Sequence, residues 1–155
     1  MTSSLDFNKN VVRRFVDECW NGGSMATVRQ LVATQCRYHD PVFPHMVAGV
    51  DSLQHHIEKC RRAFPDMRVT ITDLLAERDE VVVHWSANGT QRGEFLGMPP
   101  THINALIVGT SIYRMEDGQI AEQWVNWNLM SLIEQLGLRT AAGVPAGVRS
   151  HVGWE

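Results

Sequence analysis

Long runs of a single character are missing from this chain of 155 residues. No apolar stretch approaches the ~20 residues of a bilayer-spanning helix. No block of Lys and Arg occurs, and 14 basic residues against 17 acidic ones leave a formal charge of −3. Phosphate binding needs clustered cations, so nucleic acid is excluded as the main partner. Cysteine is scarce. Cys19, Cys36 and Cys60 are widely spaced and, being three, cannot all pair, which points to a reduced, cytoplasmic protein. Residues 1–9 are polar and carry no signal-peptide core. Repeats and linkers are also absent. The expectation is one soluble domain over residues 1–138, with a Gly-, Ala- and Pro-rich tail over residues 139–155.

What is present changes period partway along. Val11, Val12, Phe15, Val16 and Cys19 recur at the spacing of one buried stripe, so a helix is expected from Leu5 to Trp20, stopped by Gly22-Gly23. Ser24 suits the cap of a short second helix holding Val28, Leu31 and Val32. Arg37 to His45 reads as strand or loop, broken by Pro41 and Pro44. Asp51 is the expected cap of a third helix, Ser52 to Ala63, with Leu53, Ile57 and Cys60 facing inward. Beyond Met67 the pattern alternates and is rich in β-branched residues. Strands are expected over Val69–Ala76, Val81–Thr90, Thr101–Met115 and Gln119–Asn128, then a helix over Leu129–Leu136 capped by Asn128. Helices followed by a strand meander is the α+β order. A long, twisted, mostly antiparallel sheet can curl around the N-terminal helices into an open cone whose interior is an apolar pocket.

Mixed polarity marks the last strand. Alternation places Glu122, Trp124 and Asn126 on one face and Gln123, Val125 and Trp127 on the other. Neither face is purely apolar, which suits a strand that lines a pocket. At most one of Gln123 and Asn126 then reaches that pocket.

Trp20-Asn21-Gly22, Tyr38-His39-Asp40-Pro41, Gly93 to Thr101, Tyr113-Arg114 ahead of Asp117-Gly118-Gln119-Ile120, Glu122-Gln123-Trp124 and Gln135-Leu136-Gly137 keep an order and spacing that resembles the SnoaL-like polyketide cyclases. That family has the cone-shaped fold of the nuclear-transport-factor-two-like superfamily. The resemblance covers about Asn8 to Leu138. It implies a homodimer or tetramer, without metal or organic cofactor, that acts on an aromatic or polycyclic polyketide in secondary metabolism such as antibiotic biosynthesis. It implies ring closure by aldol chemistry, with an aspartate on the last strand and a histidine on the strand before it. Those places fall here on Val125 and Ser111, so the usual pair is absent. Relatives lacking it include ring hydroxylases that act beside a reductase partner, and that reading stays open next to cyclisation. A non-catalytic ligand-binding or interaction domain is the other alternative.

The residues expected to carry chemistry are therefore His39, Asp40 and Gln123. A histidine can accept a proton and Asp40 can charge or orient it, although adjacent residues of an extended segment point apart and an Asx turn of Asp40 before Pro41 is the plainer reading. Trp85, Gln91, Ser111, Val125, Asn126 and Trp127 are expected to bind substrate: tryptophans by stacking or plain packing, amides by hydrogen bonds to ketone or phenol oxygens. Glu122 is expected to pair with Arg114 across the hairpin. Histidines 39, 45, 55, 56 and 102 show no spacing of converging metal ligands, and no metal is expected. The hollow enclosed by the sheet is expected to take a multi-ring guest.

Overall fold

The computed structural model describes residues 3–137; the tail expected over residues 139–155 lies outside them. Helix α1 spans Ser4–Arg14 and continues without a break into a wider π-helical segment, Phe15–Asn21. The single helix expected to Trp20 is thus two kinds of helix in series. α2 is Met25–Leu31, capped by the Ser24 side chain, and β1, Val32–His39, follows directly. α3 is Val50–Ala63. β2, β3, β4 and β5 run Arg68–Glu77, Glu80–Thr90, Asn104–Glu116 and Gln119–Trp127. α4 is Leu129–Gln135, capped by Asn128, whose side chain accepts from the Ser131 N–H.

Several boundaries differ from expectation: Val32 opens β1 instead of closing the second helix, β4 begins at Asn104 rather than Thr101, and two differences have local reasons. α3 begins at Val50 behind Gly49, whose φ of 116° only glycine adopts without strain. Asp51 lies in the first turn, and its carboxylate accepts from Arg29 at 2.6 Å rather than capping. β1 begins five residues before Arg37 and ends at His39, before the prolines. Its exposure pattern does not alternate cleanly, which hid it.

The strands form one sheet in the order β1-β5-β4-β3-β2. β1 runs parallel to β5; the other pairings are antiparallel. Register shifts occur in β1, between Ile71 and Asp73 in β2, and opposite Arg114 and Met115, where Ala121 is the extra residue of β5. Bulges raise local twist and bend a strand, so the sheet curls. α1, the π-helical segment, α2 and α3 fill the concave side with Val12, Phe15, Val28, Leu53 and Ile57 against Val81, Val83, Tyr113 and Ile120. A second cluster packs Leu132 and Ile133 of α4 on Phe64, Phe95, Leu96 and Met98. Where the two clusters meet, a cavity remains.

Candidate functional site

That cavity has a volume of about 130 Å³ and mostly apolar walls. It is bounded by Trp20 from the π-helical segment, Phe43 from the loop after β1, His56 and Cys60 from α3, Trp85 from β3, and Gln123, Val125 and Trp127 from β5. A void of roughly 150 Å³ is enough to hold one benzene ring. The enclosed space is therefore that of a single ring; a second, open pocket of about 440 Å³ shares Tyr38, Asp40, Phe43 and Val125 with it.

The inward row on β5 is Gln123, Val125 and Trp127, and Ser111 on β4 pairs with Val125 across the ladder. Trp85 lies flat over Gly109, where a Cβ would come within 2.3 Å of the indole, so only glycine leaves room for the ring. Its Nε1–H donates to Ser111 Oγ at 3.0 Å.

Among the described residues Asp40 is the one carboxylate on the cavity wall, and it is buried to 5% exposure. Oδ1 accepts from the Val42 N–H at 2.8 Å, which is the Asx turn expected before Pro41. Oδ2 accepts from Trp127 Nε1–H at 3.2 Å and from the Tyr38 hydroxyl at 3.4 Å. The Asx turn is thus present, and the other carboxylate oxygen is held by Trp127 and Tyr38 rather than by His39. Burial pushes its carboxyl above the usual range, and these three hydrogen bonds pull it only part of the way back. Burial also raises the Tyr38 phenol well above its ordinary value, so it stays protonated and donates.

His39 goes the other way. Successive β-residues point to opposite faces, so Tyr38 and Asp40 turn inward and His39 outward. Its Nε2 is 3.1 Å from Glu122 Oε1, and its ring stacks on Trp124 with centroids 5.4 Å apart. His39 and Asp40, adjacent in sequence, turn to opposite faces, and they meet only as neighbours on the rim of a second, open pocket that Trp124, Val125 and Asn126 also line. Glu122 is covered by Arg37, at 2.9 Å, and Arg114, at 3.6 Å. Burial works against its ionisation, but the His39 hydrogen bond and the two guanidiniums outweigh it and hold the carboxyl below its usual range. The expected pairing with Arg114 is there, within a larger ionic cluster.

Two more of the expected binding residues lie elsewhere. Asn126 is exposed on the outer face, beside Trp124 and His39. Gln91 is fully buried beneath the turn after β3. Its amide donates to the carbonyls of Gly93, Met98 and Pro99 and accepts from the Thr101 hydroxyl at 2.8 Å. Its hydrogen-bonding capacity is spent on the fold, which corrects its assignment to substrate.

His56 is the wall residue that sequence reasoning passed over. Its ring packs against Phe43, Tyr38 and Trp20 at 4.6, 5.2 and 6.0 Å, and burial lowers its pKa to about 4. At neutral pH it is an uncharged imidazole. The signal was its place between Leu53 and Cys60 on the inward stripe of α3. Gln123 is 2% exposed, and its Oε1 has no hydrogen-bond partner. Among the described residues, no group of three or more His, Cys, Asp or Glu is placed to hold a metal ion. Nor is any helix there long and apolar enough to cross a membrane.

Residues 10–136 match the family model described as SnoaL-like polyketide cyclase. Among solved structures, TsrD from Streptomyces laurentii superposes with a TM-score of 0.78 at 24% identity, covering 84% of this chain and 95% of its own. AclR from Streptomyces galilaeus, a candidate hydroxylase, gives 0.76 at 22% identity over 88% and 100%. IdmH from Streptomyces antibioticus, a candidate polyketide cyclase, gives 0.73 at 25% identity over 84% and 98%. No curated protein sequence matches significantly.

Proposed function

Since the chain belongs to the SnoaL-like polyketide cyclase family, we propose that it is a small-molecule tailoring enzyme of secondary metabolism that closes a ring in an aromatic or polycyclic polyketide, with Asp40 as the base. The observation that carries this reading is the buried Asp40 carboxylate on an otherwise apolar cavity wall. A carboxylate held away from water, with its pKa raised, is a stronger base than a solvated one. Holding it there costs stability that a purely binding cavity would have no use for.

The chemistry balances within the substrate. Asp40 removes a proton from a carbon between two carbonyls, leaving an enolate. The enolate carbon bonds to a second carbonyl carbon of the same molecule, and the alkoxide formed takes the proton back from Asp40. The Tyr38 hydroxyl and Trp127 Nε1–H fix the carboxylate for that step. With one ring enclosed, the remainder of a polycyclic substrate extends from the cavity mouth.

Deuterium exchange at the acidic carbon of a cyclic β-diketone, followed by NMR in D2O, isolates the proton-transfer step. Wild type accelerates exchange, and Asp40→Asn loses about 10²- to 10⁴-fold of that acceleration. Saturable binding of the diketone with no acceleration would sink this reading in favour of a binding domain.

A further inference from the structure

Inside the cavity the hydrogen-bonding groups are unequally supplied. The indole N–H of Trp85 is spent on Ser111 and that of Trp127 on Asp40. Asp40 already accepts three bonds. Among the described residues of this wall, Gln123 alone has a fully buried side-chain acceptor with nothing donating to it, its Oε1. Tyr38 of β1 and Tyr113 of β4 flank it in register, and Val125 follows it inward on β5. A buried carbonyl left without a donor forfeits on the order of 1–3 kcal/mol, so such groups are rare in folded proteins unless something else fills the position. Water is a poor filler, because it needs two to four polar partners and these walls are mostly apolar.

We infer that Gln123 reads a hydroxyl: the cavity takes one ring whose O–H donates to Gln123 Oε1, which makes the guest a phenol or a stable enol rather than a simple ketone or hydrocarbon. The ring size follows from the volume of about 130 Å³, and the flat shape from the enclosing Trp85, Trp127 and Phe43. The inference rests on the family reading for the source of such rings, since aromatic polyketides carry phenolic and enolic hydroxyls. It stands apart from the role given to Asp40, because it concerns recognition and not proton transfer. Discrimination of this kind is strong in one direction. A site built around an unpaired buried acceptor rejects a guest that lacks the donor, whereas an apolar wall prefers the guest without it.

Calorimetric titration with phenol, toluene and anisole tests this. Toluene matches phenol in size but has no donor, and anisole has an acceptor only. Wild type is expected to bind phenol at least tenfold more tightly than toluene or anisole. In Gln123→Leu that order reverses and toluene leads. Gln123→Met serves as the second variant should the leucine prevent folding. A wild type that binds none of the three, or the same phenol-to-toluene ratio in wild type and variants, would overturn the inference. So would a Gln123-dependent preference for anisole, since the amide would then be donating. The exchange assay on Asp40 can fail while these titrations succeed, and the reverse, so the two readings fall separately.

Discussion

Two titratable side chains on the cavity wall respond to pH in opposite senses. His56 has its pKa lowered to about 4 by burial, so the unfolded chain takes up a proton first as pH falls. Its contribution to stability is present above pH 6.5 and is lost progressively toward pH 4, by roughly 3 kcal/mol at about 1.4 kcal/mol per pH unit. Asp40, raised by burial, is the reverse: the folded chain holds that proton longer, so stability falls as pH rises from 3.8 through its folded value. His56→Leu separates the two. Urea midpoints measured from pH 7 to pH 4 should drop less steeply in the variant, the gap approaching that figure at the acid end; parallel curves would show that His56 is not the group being charged. Neither residue was fully legible. Asp40 was expected to act beside His39, but the pleat sends those side chains to opposite faces. His56 was read together with its neighbour His55, which drew attention away from the inward stripe it occupies.

Elements were read well where local pattern decides and poorly where pairing is distant. Strands β2, β3, β4 and β5 alternate, and β2–β3 and β4–β5 turn within a few residues, so their positions were visible. β1 pairs in parallel with β5, more than 80 residues away, and its pattern is broken, so only its last residues, from Arg37, fell in a segment read as strand or loop. The extra residue Ala121 is equally silent in sequence, yet it lets Ile120 and Gln123 both face inward. The turn after β3 belongs at this scale too. It looked like a loop with a nearby amide free for substrate, but the Gln91 side chain is what holds it. Gln91→Ala leaves the carbonyls of Met98 and Pro99 and the Thr101 hydroxyl without that partner, and the position is fully buried. The expected cost is about 2–3 kcal/mol in chemical denaturation, with the cavity residues of β5 unmoved. Gly109→Ala differs in kind. A methyl there drives the Trp85 indole off Ser111, so a loss of about 1–3 kcal/mol should come with a shifted tryptophan emission and weakened ring binding.

At the scale of the molecule, the convex side of the sheet is the feature that function has not used. Leu106 and Val108 of β4 are 53% and 57% exposed, and Val82, Ile112 and Trp124 form one outward cross-strand row beyond them. Thr110, between His84 and Asn126, separates these two apolar patches, and the row ends at Arg114; exposed side chains as large as Leu106 and Val108 still mark a face that a partner would cover. The α4 side chain Gln135 brackets the Leu106 backbone, accepting from its N–H and donating to its carbonyl, both at 2.8 Å, so this end of β4 is pinned rather than frayed. A pinned, apolar, gently curved face fits a copy of itself, since two-fold symmetry sets equivalent stripes against each other. Roughly 800 Å² per partner makes a stable interface, and a five-stranded face can supply it. The expectation is a dimer through this face, measured by light scattering behind size exclusion. Val108→Asp places a carboxylate opposite its own symmetry mate and should yield a monomer that keeps its fold and still binds phenol, because Val108 points away from the cavity. A variant that remains dimeric would move the interface elsewhere; one that loses ring binding would mean the cavity depends on the pairing.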